Sequence, residues 1–438
     1  MSDSSNAKSQ QNNLIIARRY LRELQMTNAP NEGIFTFDQA DNMEQTIQAL
    51  RLQRQFTKTD DPAVVRRGIF KFDREKETKR ISRAEELIRR VDPGPFEDPT
   101  FLALLAYQAA SVELVLLDLL VQKKAQERLS KILLGTVHRA KVDASAYILT
   151  KRGYTIIALN SGLVDFIYQA AKAVIEALNP ARPANGGSAV AHTTDLGVIS
   201  DGLRTNAAPI DRVWKILESY FFKGYPRVYW NETVNEEHGP PLSILISMAE
   251  RWVIAHEYGH NLADYLTTRA VNDQDIAGKR GAGLQNPHWT EEFLADTLAT
   301  INTVQSAAYL DGLPPESSLS GGSFALACAD ILEKSLAILR TGDVSKVEKS
   351  KTHPPCRTRA EANIAAFNRY FDVEYTGTRT SDLSFRSEQE MPNLHPFSSE
   401  RSQVALLPAN VLLKIWNGIK DILMNQFLQK RPLHPMWR

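Results

Sequence analysis

Cysteine is scarce in this chain: Cys328 and Cys356 are the only two in 438 residues. Two thiols cannot build a disulfide framework or a cysteine-rich metal site, and they fit a reducing compartment. Neither charge is in excess. Lys plus Arg is 52, Asp plus Glu is 51, and the formal net charge is +1. The chain as a whole therefore offers no electrostatic footprint for nucleic acid or an anionic membrane. Long hydrophobic runs are missing too. The most apolar stretch, Leu102 to Val121, carries Gln108, Glu113 and Asp118. A spanning helix needs about 20 predominantly apolar residues, so a core helix is the better reading. The first residues, MSDSSNAKSQQNN, lack the basic-then-apolar order of a secretory signal. No internal repeat is found. The expectation is a soluble, cytoplasmic protein with no nucleic-acid partner and no membrane span. Its 43% hydrophobic and 24% charged residues are ordinary globular composition.

Along the chain, residues 1–13 read as a disordered tail. Leu14 to Met26 and Asn42 to Phe56 have apolar residues at three- and four-residue spacing, the helical period. Lys58 to Val91 is dense in charges of both signs and reads as a solvated helical face. Asp92-Pro93-Gly94-Pro95 marks a boundary, and a long helical stretch follows from about Phe101 to Leu134. Ala144 to Leu149 and Tyr154 to Leu159 are short β-prone runs split by Lys151-Arg152-Gly153, which predicts a hairpin. Leu163 to Leu178 returns to a helical pattern. Residues 179–209 are rich in Pro, Gly, Ala and Asn and read as a functional loop or insert. Arg227 to Val234 is a candidate strand. Ser243 to Thr267 carries the strongest helical pattern and Thr290 to Leu310 the next. Residues 376–402 are polar, and Ala405 to Leu428 is a final amphipathic helix.

The chemistry centres on His256-Glu257-Tyr258-Gly259-His260, inside the strongest helix. Histidines four apart lie one turn apart on one face, where a single Zn²⁺ can accept both rings. Glu257 is adjacent and can take a proton from a water attacking a carbonyl. A catalytic zinc needs a third protein ligand and an open position. An elongated motif would place it six residues after the second histidine, but Leu266 stands there, and Ala263 replaces the required glycine. Glu292-Phe293-Leu294-Ala295-Asp296 begins thirty-two residues after His260 in a second helical pattern. Glu292 can be the third ligand. Asp296, one turn on, can accept the other ring N–H of a ligand histidine and fix its tautomer. Ala295 is small enough to let two helices approach. Glu291 and Asp264 are rival ligands. Glu291 would put Ala295 where Asp296 is needed, and Asp264 would strain a tetrahedral site.

With these residues the sequence resembles the gluzincin peptidases, whose signature is HExxH followed on a second helix by ExxAD. Thr352-His353-Pro354-Pro355-Cys356-Arg357-Thr358-Arg359 is similar to the THPPxxxR segment of the heat-shock and CAAX-processing membrane metallopeptidases. The resemblance implies that His353 and Arg359 help stabilise the reacting carbonyl and organise the site. A histidine donor near zinc can do so, and the proline pair restricts where it points. Ile156 to Ile167 resembles the strand and turn ahead of the zinc helix in the same families, a strand along which a peptide adds. Two departures stand out: about ninety residues separate that element from His256, and the families' membrane helices are missing.

The fold expected is α+β and mostly helical. A zincin-like core spans 135–375 with an insertion at about 179–241. A helical region over 14–134 precedes it, and a polar linker with a C-terminal helix fills 376–438. The function expected is zinc-dependent hydrolysis of peptide bonds in a protein or peptide substrate. His256, His260 and Glu292 bind Zn²⁺, Glu257 is the general base, Asp296 orients a histidine, and His353 with Arg359 assists. The alternative is a zinc-containing sensor or regulatory binding protein without turnover. His138, His192, His238, His395 and His434 have no ligand spacing, and His288 reads as a surface-loop residue. Cys356, beside His353, is a candidate cysteine switch.

Overall fold

The computed structural model describes residues 2–28, 42–50, 73–95, 97–119, 123–139, 141–149, 153–178, 195–224, 226, 239–266, 287–347, 353–375 and 399–437. Among them the chain is mostly helical with one small sheet. The helices are α1 (Ser2–Asn28), α2 (Arg74–Val91), α3 (Pro99–Leu119) and α4 (Lys123–Leu129). Strands β1 (Ile132–Val137), β2 (Ala144–Leu149) and β3 (Tyr154–Asn160) follow. Then come α5 (Ser161–Leu178), α6 (Leu196–Thr205), α7 (Ala208–Glu218), α8 (Gly239–Leu266) and α9 (Pro287–Ser306). The last are α10 (Pro315–Thr341), α11 (Cys356–Tyr375) and α12 (Ser399–Leu428). A further helical segment covers 42–50.

Several elements differ from the sequence reading. Helix α1 begins at Ser2, through the stretch expected to be a tail. The long helical stretch to Leu134 stops at Leu119, and Ile132–Val137 is a strand. The expected boundary between 134 and 135 therefore falls inside β1. Every residue of β1 is buried, so its apolar run has no alternation to betray a strand. The insertion carries two helices, α6 and α7, which pack on α5 and α12. The candidate strand at 227–234 and the segments 51–56, 58–72, 179–194 and 376–398 lie outside the described residues.

The sheet order is β1-β3-β2. β1 runs parallel to β3, with Ile132 opposite Thr155, and β2 pairs antiparallel with β3, with Ala144 opposite Leu159. The hairpin forms as expected, but β3 is the central strand. The strand expected to offer an edge is thus covered on both sides, and the half-exposed edge strand is β2. Helix α8 lies against β2 and β3. The Thr155 hydroxyl of β3 donates to Asn261 Oδ1 of α8 at 2.7 Å, one residue past His260.

Helix α10 is central, packing on α8, α9, α11 and α12. Its start, Pro315-Glu316-Ser317-Ser318, and its Gly321-Gly322 pair resemble loop composition, so no helix is expected there from pattern alone. The glycines serve close packing. A Cβ at Gly321 would overlap the Met248 backbone, and one at Gly322 would sit 2.7 Å from the Trp252 ring.

One apolar core cluster runs from Ala17 to Leu423, so the N-terminal helices share it with everything after them. Helix α2 does not simply present a solvated face. Arg80 is 2% exposed, and its guanidinium meets Asp311 at 2.7 Å and the Tyr107 hydroxyl at 2.6 Å. Arg251 of α8 reaches the same Asp311 at 2.8 Å. Buried ions are costly unless paired, and here one carboxylate serves two arginines from different helices. In the same layer, Tyr258 donates to Glu113 of α3 at 2.7 Å, and Arg83 of α2 donates to Glu113 at 2.6 Å.

Two buried acids behave differently. Burial pushes the Glu250 carboxyl up to about 8. Burial also raises Glu97 to about 8, although bonds from Thr136 and Gln25 favour its charged form.

Three outcomes are expected. Gly321→Val should cost about 1–3 kcal/mol of stability through overpacking, measured by urea unfolding. Gly202→Ala, with no atom near its Cβ position, should be neutral or stabilise by about 0.4–1 kcal/mol. For pH, the folded chain holds the Glu250 proton more tightly than the unfolded chain does. The contribution of Glu250 is therefore most favourable below the ordinary 4.5 and declines as pH rises toward 8. The stability of Glu250→Gln relative to wild type should rise across that window.

Candidate metal centre

The site is built where α8, α9 and the start of α11 meet. His256 and His260 project one turn apart from α8, and their Nε2 atoms are 3.0 Å apart. Glu292 projects from α9. Its Oε2 lies 3.6 Å from His256 Nε2, and its Oε1 lies 3.4 Å from His260 Nε2. One ligand atom from each of the three residues lies within 4.8 Å of the others. Helix contact this close needs small residues at the crossing. A Cβ at Gly259 would fall 2.7 Å from the Ala295 Cα, so glycine inside the motif and alanine opposite it set the approach.

Behind the three donors lies an ion pair. Arg359 of α11 grips Asp296 of α9 with two parallel bonds, Nε to Oδ2 and Nη2 to Oδ1, both 2.7 Å. Paired forks of this kind are strong and directional. Arg359 Nη2 also lies 3.3 Å from Glu292 Oε2. Asp296 Oδ1 stands 2.8 Å from His256 Nδ1, with the ring N–H turned off the direct line. Occupying Nδ1 this way leaves Nε2 to face Glu292 and His260. Burial pushes the Asp296 carboxyl up, but Arg359 and His256 outweigh it and bring it down to about 2.

Burial acts on the remaining ionisable groups in different directions. Burial, with the neighbouring His256, lowers His260 to about 3. Burial also lowers the His256 ring, but Asp296 outweighs it and the net shift is upward. Burial raises Glu257 to about 7, with the Glu292 and Asp143 charges adding to it and His256 opposing. Asp143 immediately precedes β2, so the sheet's edge strand lies within electrostatic reach of Glu257.

The donor set fits a metal ion. Glu292 Oε2 is buried and accepts no hydrogen bond among the described residues. Two imidazole nitrogens and a carboxylate converge, with the Arg359 guanidinium behind Glu292, and that donor set suits zinc and other divalent first-row metals. His260 and His353 form the more open side, with side chains 24% and 48% exposed. His353 Nε2 lies 3.3 Å from Glu292 Oε1.

No family model, curated protein or solved structure matches the chain.

The sequence-derived residues fall as follows. His256, Glu257, His260, Glu292, Asp296, His353 and Arg359 come together. The Arg359 guanidinium is engaged by Asp296 and Glu292. Glu291 is exposed and Glu292 buried, which separates the two rivals. The side chains of Asp264 and His288 lie outside the described residues, as do His192, His238 and His395. Burial pushes the Cys356 thiol up to about 12, which works against a thiolate ligand there.

Sequence reasoning missed Trp252. Its ring stacks on His256, with centroids 5.5 Å apart and planes 21° apart, and its Nε1 donates to Thr300 at 3.2 Å. The signal was present: Trp252 precedes His256 by one helical turn. Tyr258 has no role assigned from the sequence, and its bond to Glu113 ties α8 to α3.

Arg359→Met would leave Asp296 charged and buried with only His256 beside it. A loss of about 3–5 kcal/mol is expected in urea unfolding, and adding Asp296→Asn should recover part of it. Asp296→Asn alone should weaken metal affinity about 10- to 100-fold in a competition titration.

Proposed function

We propose that the protein is a zinc-dependent metalloendopeptidase of the gluzincin kind, acting on a protein or peptide substrate. The observation that carries this reading is the buried His256, His260 and Glu292 group with Glu257 beside it. A purely structural zinc site normally closes its fourth position with another protein ligand, whereas the converging donors among the described residues stop at three. Zinc, when bound, supplies Lewis acidity and lowers the pKa of a water held beside it.

The chain's own residues have distinct tasks in this reading. Glu257, poised near neutrality, takes a proton from the attacking water and returns it to the leaving amine. His353, on the open side, donates to the carbonyl oxygen as negative charge develops there. Asp296 and Arg359 hold His256 and Glu292 in place. The outer edge of β2 is unpaired among the described residues, and it offers an extended peptide a partner for backbone hydrogen bonds beside α8.

The second reading is a zinc-containing regulatory protein without turnover. The low exposure of His256, Glu257 and Glu292, 6–7% each, favours a closed site of that kind.

Comparing new peptide N-termini from a proteome digested with wild type and with Glu257→Gln separates the two. The peptidase reading expects cleavages that the variant loses while it retains its metal. Equal cleavage by both proteins would reject the mechanism, and no cleavage by metal-loaded wild type would favour the regulatory reading.

A further inference from the structure

Trp252, His256 and His260 stand at successive turns of α8, and their rings form a ladder along one face. His260 meets the His256 ring edge-on, with centroids 4.6 Å apart and planes at 87°. Trp252 lies nearly parallel to the same ring, at 5.5 Å and 21°. Near-parallel planes at that separation make an offset stack, a favoured arrangement for aromatic pairs.

The indole is itself held by its surroundings. It is 4% exposed, and its Nε1 donates to Thr300 Oγ1 of α9 at 3.2 Å. Gly322 of α10 packs so close that a Cβ there would sit 2.7 Å from the indole Cδ1 and Nε1 atoms. Helix α8 therefore carries the ring, α9 accepts its hydrogen bond, and α10 leaves it room.

The hydrogen bonding of His256 leaves work for such a support. Asp296 Oδ1 stands 2.8 Å from Nδ1, but the ring N–H is turned off the direct line. A poorly aligned contact gives weak directional control, so it does not set the imidazole plane alone. The stack restricts rotation of the ring about its bond to Cβ, and that rotation decides where Nε2 points. Charge acts in the same sense. The imidazole of a metal ligand is electron-poor, and an indole face attracts positive charge better than a phenyl face does. An aliphatic side chain offers neither effect.

We propose that Trp252 is a positioning residue of the metal centre: its anchored indole sets the plane of His256 and favours the metal-bound form of that ring. The proposal rests on the metal centre and not on peptide hydrolysis, so the peptidase reading can fail while this one stands.

The test is the zinc affinity of the full chain, measured by competition with a chromogenic chelator. Trp252→Phe keeps a stacking ring and should bind zinc within about threefold of wild type. Trp252→Leu should bind about tenfold more weakly, the scale of a lost support behind a metal ligand. Cobalt-loaded protein gives a second readout, because its visible absorption follows ligand geometry. The leucine variant should shift those bands, and the phenylalanine variant should not. Leu412→Ala makes a cavity in the same apolar core, on α12. It should lower stability in urea while leaving zinc affinity and the cobalt bands unchanged. Thr300→Val removes the indole's anchor at similar shape and should weaken zinc binding about threefold or more. That variant decides the matter if Trp252→Leu fails to fold. The proposal is overturned if Trp252→Leu or Thr300→Val binds zinc as wild type does, or if Trp252→Phe or Leu412→Ala loses as much affinity as Trp252→Leu. Wild type that binds no zinc would overturn the metal centre itself, and the proposal with it.

Discussion

The close crossing of α8 and α9 at Gly259 and Ala295 is the constraint on which the site depends. Two ligands stand on one helix and the third on another, so the distance between helix axes sets the distance between donors. A side chain at position 259 would push against the Ala295 backbone. With that contact in place, the three donor atoms fall within one coordination sphere. Without it, the motif residues would still be present but would not converge. The Arg359–Asp296 fork then fixes what the crossing brings together. It is buried, bidentate and continuous with both His256 and Glu292.

A second layer explains why the N-terminal helices belong with the rest. Helix α8 carries Arg251 and Tyr258 on the side turned toward α3, and both are held by groups outside the metal-bearing helices. Tyr258 is tied to Glu113 and through it to Arg83 of α2. Arg251 shares Asp311 with Arg80 of α2. Removing α2 would leave Asp311 and Glu113 buried with fewer positive partners, a costly state in a low-dielectric interior. The helix that carries the motif is therefore braced from the N-terminal side by charge and from the C-terminal side by the packing of α10.

Much of the site was legible because its chemistry imposes spacing. Histidines four apart, a glutamate beside the first, and an ExxAD string with a small residue at the crossing are constraints that survive without tertiary knowledge. The choice between Glu291 and Glu292 could be made in advance because a single-residue shift rotates a helical side chain by about 100°. The fold was legible where amphipathic period or turn chemistry was strong, as in α8, α12 and the β2–β3 hairpin. It was not legible in β1, where burial on both faces removes the alternation that marks a strand. Nor was it legible in α10, whose glycines serve helix packing although they read locally as a break. The buried charges of α2 were missed for a different reason. Composition reveals that Arg80 is charged, but only the tertiary structure places Asp311, more than two hundred residues later, against it.

The most direct test of this account is the metal content of the purified full-length chain, wild type beside Glu292→Ala, by elemental mass spectrometry. The expected result is about one zinc per wild-type chain and a sharp reduction in the variant, since a site of three protein ligands seldom retains its metal on two. No bound metal in wild type after reconstitution, or equal metal in both proteins, would contradict it.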